Sequence, residues 1–131
     1  MYAFSIEMSH FPVILEHDLV WGSRFAHLWM MPAIIQNQEA RTDTHRPFKA
    51  LSPERTAELA AIQREETAED LSRWQPKYVF VERCGKDALC EVYNGPVDFI
   101  SWYSKSPRFA EQWSKYRFQK TVKSFDVYVR N

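Results

Sequence analysis

The residues of this chain best equipped for chemistry stand near its start. His10, His17 and Asp18 place two imidazoles and a carboxylate in one short stretch, the ingredients of a metal-binding or acid/base cluster. They follow Tyr2 to Met8, where Tyr2, Phe4, Ile6 and Met8 alternate with Ala3, Ser5 and Glu7 at the period of a half-buried strand. The cluster therefore falls at a strand's carboxyl end, where open α/β sheets bind ligands. The competing reading is an ordinary hydrogen-bonded loop, because His10 and His17 have no third ligand at a characteristic spacing. A phosphate-cradling loop is excluded, since Ser9 to Val20 contains no glycine.

A second candidate surface lies at Trp21-Gly22-Ser23-Arg24-Phe25. The Arg24 guanidinium suits a carboxylate or a phosphate, and Trp21, Phe25, Trp29, Met30 and Met31 supply more apolar area than a loop leading into a short helix requires. The expected division of roles puts Leu28, Trp29 and Ile35 inside, with Trp21, Arg24 and Met30 on a rim facing a partner or a lipid phosphate. Cys84 and Cys90, the chain's 2 cysteines, are too few for a disulfide framework and lack a histidine pair at zinc-finger spacing. They read as structural thiols, or, in an oxidising compartment, as a local bridge closing the turn at Gly85-Lys86-Asp87.

These residues must be held by elements that the pattern also announces. Val13 to Leu15 reads as a short extended piece, and Ala26 to Ile35 as a buried helix kinked or restarted at Pro32. Gln36 to Leu51 turns polar and reads as a loop. Ser52-Pro53-Glu54 opens the clearest helix, with a capping hydroxyl, a proline suited to the first turn and an acid against the helix dipole. It runs to about Trp74, with Ala57, Ala60, Ala61, Ala68 and Leu71 on one face and Arg64 reaching out of it.

Tyr78-Val79-Phe80-Val81 is the unbroken apolar run of a central strand covered on both sides. Asp98 caps an aromatic helix broken at Pro107, and Tyr116 to Val122 and Phe125 to Arg130 alternate as a hairpin turning at Lys123-Ser124. Regular alternation puts Phe118, Lys120 and Val122 on one face. The expected fold class is α/β, a three-layer open sheet with a parallel βαβ core and a C-terminal antiparallel hairpin, in a single domain over residues 1–131.

Bulk composition excludes further classes. Lys plus Arg (17) balance Asp plus Glu (17), so no basic field exists to hold nucleic acid. No run approaches the roughly 18 apolar residues of a membrane-spanning helix, and the first residues lack the features of a signal peptide. The chain as given reads as water-soluble, either cytosolic or cut from something larger.

The order of several dispersed motifs carries a resemblance. Trp21, Ser23, Arg24 and Phe25 are followed by Leu28, Trp29 and Pro32, then by Gln-Pro-Lys-Tyr-Val-Phe-Val-Glu from Gln75 to Glu82. The tail has Pro107, Arg108, Phe109, Trp113 and Tyr116, and then Tyr128 and Arg130. Together these resemble the C-terminal soluble region of bacterial polytopic membrane proteins with C-type glycosyltransferase architecture. The resemblance spans nearly the whole chain. It implies an extracytoplasmic, periplasmic-side α/β domain that follows membrane helices, partnered by the membrane-embedded segments of its own parent chain and by a lipid-linked sugar or a glycan acceptor. Such transferases carry their acidic catalytic residue in an early loop that has no counterpart here, so no catalytic residue, metal ligand or cofactor is carried over. The alternatives are a structural domain without a ligand and a stand-alone small-molecule binder using the His10, His17 and Asp18 loop.

Overall fold

The computed structural model describes residues 1–5, 11–26, 28–41, 50–85, 93 and 95–131. Along the chain lie β1 (Tyr2–Phe4), α1 (Phe11–Glu16), α2 (Met31–Gln38), α3 (Pro53–Trp74), β2 (Tyr78–Glu82), α4 (Phe99–Tyr103), α5 (Pro107–Trp113), β3 (Tyr116–Val122) and β4 (Phe125–Arg130). The strands form one open mixed sheet in the order β1-β2-β4-β3. β1 runs parallel to β2, with Tyr2 opposite Val79 and Phe4 opposite Val81, and the chain between them carries α1, α2 and α3. β2 and β3 both pair antiparallel with β4. This is the α/β class expected, with β2 central and the closing hairpin in place.

Local chemistry explains the helix boundaries. Ser52 accepts a hydrogen bond from the Arg55 amide, Pro53 occupies the first turn, and Gln75 ends α3 in the left-handed conformation at φ 43°. The buried side of α3 is not the alanine face. Ala57 and Ala61 are exposed, while Thr56, Ala60, Gln63, Thr67, Ala68 and Leu71 are buried. The polar members go inside because each finds a partner there. Thr56 Oγ1 donates to the Ser52 carbonyl at 2.9 Å, Gln63 Nε2 donates to the Tyr103 hydroxyl at 3.2 Å, and the Tyr2 hydroxyl donates to Thr67 Oγ1 at 3.5 Å.

Two apolar segments differ from expectation. Val13 to Leu15 is helical rather than extended. Pro12 lies in the first turn of α1, where its missing N–H costs nothing, and Ile14 alone of that trio turns inward. Pro32 likewise sits in the first turn of α2, so the helix begins at Met31 instead of Ala26 and runs on to Gln38. Leu28 and Ile35 are buried as expected, but Trp29 is 62% exposed. The first strand is described only as far as Phe4, and Ile6 to Met8 lie outside the described residues.

One face of the sheet carries the aromatic core. Phe4 lies 5.0 Å from Tyr103 and 6.0 Å from Phe109, ring centre to ring centre, and meets Trp113 edge-on at 6.1 Å. Trp113 then contacts Tyr128 of β4 at 4.8 Å. Burying an aromatic or large aliphatic side chain is worth about 1.5 to 3 kcal/mol, so α4 and α5 are held chiefly by this contact. Their caps are Asp98, accepting from the Ser101 amide, and Ser106, accepting from the Phe109 amide.

The hairpin holds a register shift between Phe118 and Lys120. Phe118 lies opposite Tyr128 and Lys120 opposite Val127, neighbours whose side chains leave β4 on opposite sides. A β-bulge at Gln119 therefore parts Phe118 from Lys120 and Val122, which strict alternation had grouped together. The far edge of the sheet is closed, because the Met1 amine donates to the Val20 carbonyl at 2.8 Å, the Gly22 amide to Met1 at 2.8 Å and the Leu28 amide to Ser5 at 2.9 Å.

Candidate functional site

The candidate residues at the start of the chain do different things. His10 lies outside the described residues; His17 and Asp18 are exposed just past α1, with Asp18 in the left-handed region at φ 50°. Among the described residues no three His, Cys, Asp or Glu side chains are arranged to hold a metal ion.

Trp21 and Arg24 are engaged internally. The Trp21 ring stacks on Tyr2 at 6.0 Å, and its Nε1 donates to the Phe25 carbonyl at 2.9 Å. The Arg24 guanidinium reaches three carboxylates of α3: Nε to Asp70 at 2.9 Å, Nη2 to Glu69 at 2.8 Å and Nη1 to Glu66 at 3.5 Å. Its amide also donates to Asp70 at 2.8 Å. The Asp70 side chain is only 2% exposed, so this guanidinium neutralises a charge that water cannot reach. Hydrogen bonding to Glu69 is the main cause of a raised Arg24 pKa, and the same bond holds the Glu69 carboxyl below its usual range.

A ligand-sized cleft of about 480 Å³ opens instead at the carboxyl end of β2. β2 delivers Glu82, Arg83 and Cys84 to it, and an antiparallel bridge from the Val97 amide to the Cys84 carbonyl, 2.7 Å, brings Asp98 alongside. β4 adds Asp126 and Tyr128. Asp98 accepts from the Ser101 amide at 2.9 Å and from its hydroxyl at 2.7 Å. Asp126 accepts from the Thr121 hydroxyl at 2.6 Å and lies 3.9 Å from Arg83 Nε.

Burial first, then the Asp126 and Asp98 carboxylates, push the Tyr128 phenol above its ordinary pKa. Tyr128 accordingly remains a neutral hydroxyl donor at physiological pH, among carboxylate acceptors and one guanidinium. That set makes hydrogen bonds to hydroxyl groups; it contains no nucleophile held against a base.

Cys84 is 4% exposed and disulfide-bonded, while Cys90 lies outside the described residues. A clamp beside the cleft escaped sequence reasoning. Arg41 donates to the carbonyls of Tyr93 at 3.1 Å and Pro96 at 2.7 Å, and pairs with Glu39. Gly95 makes the turn possible: its φ is 150°, and a Cβ there would meet the Arg41 guanidinium at 3.0 Å. Arg41 stood in a polar run with no periodicity, and nothing local marked it. The end of β2 carried a usable signal, since the rule that ligands bind at strand carboxyl ends applies to the central strand as well as the first, whereas Asp126 and Tyr128 arrive through the pairing of β4 with β2.

Fold and cleft together define an α/β domain with an open mixed sheet and a polar, carboxylate-lined cleft at the end of its central strand. No protein-family model matches the chain, and neither a curated protein nor a solved structure matches it.

Proposed function

We propose that this chain is a non-catalytic, extracytoplasmic accessory domain of a membrane glycosyltransferase that uses polyprenyl-phosphate-linked sugar. In this reading it rests on the membrane-embedded segments of its own parent chain and offers its cleft to the glycan acceptor. The observation that carries it is the apolar surface before α2: Val13 is 46%, Leu15 75%, Val20 69% and Trp29 62% exposed. Exposed apolar side chains this frequent in one stretch of the chain suit a contact with another apolar body. The disulfide at Cys84 supports an oxidising compartment, and the tail motifs support the family. The architecture proposed with it is a three-layer open sheet around a parallel βαβ core with a C-terminal antiparallel hairpin.

The chemistry of the cleft suits a polyhydroxylated ligand, since Arg83, Asp98 and Asp126 offer donors and acceptors beside the Tyr128 ring and its hydroxyl. Saturation-transfer NMR with neutral oligosaccharides tests this directly. Transfer that disappears in Tyr128→Phe, which keeps the ring and removes the hydroxyl, supports the reading, and sugar transfer from a polyprenyl-phosphate donor by the isolated chain overturns it. A purely structural domain is the second reading. The observation favouring it is the complete internal engagement of Arg24 with Asp70, Glu69 and Glu66.

A further inference from the structure

The outer face of the sheet is unlike the inner one. Register places Phe80 beside Val127 and Lys120, Tyr78 beside Val129, and Val129 beside Arg117. Tyr78, Phe80, Val122 and Val127 line a surface groove of about 350 Å³, with Lys120 at its rim. The aromatic contacts from α4 and α5 to Phe4 and Tyr128 all fall on the opposite face.

Charge is segregated along with this surface. Of the charged residues in the hairpin strands, Arg117 and Lys120 share the register of Val129 and Val127 on this face, while Arg130 and Asp126 belong to the other. Asp126 belongs to the other face, since it pairs with Val81 while Val127 pairs with Phe80. Among the described residues no carboxylate forms an ion pair with Arg117 or Lys120. Lys77 lies 5.5 Å from the centre of the Tyr78 ring, which adds a cation and an aromatic to the same neighbourhood.

We infer that this outer face rests on an anionic phospholipid surface, with Arg117 and Lys120 at the lipid phosphates and the exposed Tyr78 and Val122 of the groove against the acyl boundary. Mixed aromatic, aliphatic and basic residues are the composition of interfacial contacts. A folded protein partner is disfavoured because Phe80 and Val127 are largely covered already, leaving too little apolar area for a stable protein interface. A second copy offering α3 is disfavoured too, since four of the six carboxylates of α3 are already paired, Glu66, Glu69 and Asp70 with Arg24 and Glu58 with Arg55. Lipid binding tolerates a small contact, because each cation held near an anionic bilayer contributes about fivefold to partitioning.

The inference is independent of glycan binding, which belongs to the other face, so failure of either leaves the other standing. The test is co-sedimentation of the 131-residue chain, its fold checked by circular dichroism, with vesicles of phosphatidylcholine alone or mixed with phosphatidylglycerol. Expected are binding to the mixed vesicles only, a loss of about tenfold or more in R117Q/K120Q, and no loss in K105Q/R108Q. Val122→Asp should weaken the same binding without altering the fold. Folded chain that ignores phosphatidylglycerol, or equal losses in both double variants, overturns the inference. Tighter binding to polyglutamate than to vesicles would replace it with an acidic protein partner, and a dimer lost on Val122→Asp would replace it with self-association.

Discussion

Arg24 holds Asp70 through both its backbone amide and its guanidinium, so main chain and side chain fix the same buried carboxylate. A guanidinium suited to carboxylates was expected at a rim, and its carboxylates turn out to be Asp70, Glu69 and Glu66 of the same chain. Spacing could not reveal this, because Glu69 and Asp70 lie 45 and 46 positions downstream on α3. Arg24→Ala leaves the buried Asp70 without its cation, and a loss of about 1 to 3 kcal/mol is expected in urea unfolding. Trp29→Ala is expected to change stability by less than about 0.5 kcal/mol, since the ring is 62% exposed. A loss of several kcal/mol in that variant would mean that Trp29 packs in the core after all.

The core tyrosines add a pH dependence with a definite sign. Burial raises Tyr2 to about 12 from an ordinary value of 10.0, and does the same to Tyr116. Folding thus favours the neutral phenol, so the stabilisation is complete below pH 10 and is lost as pH rises toward 12. Chemical denaturation at stepped alkaline pH should show stability falling through that window, with a smaller fall in Tyr2→Phe. A fall of the same size in the variant would move the effect to other groups.

At the scale of elements, legibility follows how local the controlling force is. α3 was readable at both ends because Ser52, Pro53 and the stop before Pro76 act within a turn. Ser52→Ala is expected to cost about 1 kcal/mol, measurable as a lowered midpoint in thermal melts monitored at the helix signal. The central position of β2 was readable from its apolar run. What could not be read depends on tertiary choice. The buried face of α3 was set by hydroxyls and an amide finding partners across the core, and the face of Lys120 by a bulge that no residue type announces. The cleft was half legible: its strand was identified, while Asp126 and Tyr128 reach it only through pairing with β2.

For the molecule as a whole, the disulfide and the aromatic core are separable sources of stability. The core links β1, α4, α5 and β4 through Phe4, Tyr103, Phe109, Trp113 and Tyr128, and none of these contacts passes through Cys84. With 2 cysteines in the chain, the bridge proposed between Cys84 and Cys90 closes only a short loop. Such a loop contributes at most about 2 to 3 kcal/mol in the chain-entropy account. Protein isolated without reductant from its native compartment should therefore show no alkylatable thiol by mass spectrometry, and reduction should lower its melting temperature while leaving a cooperative transition. Two alkylated cysteines in the unreduced protein would remove both the bridge and its support for an oxidising compartment. Loss of all cooperativity on reduction would show instead that the turn after β2, rather than the aromatic core, holds the two halves of the sheet together.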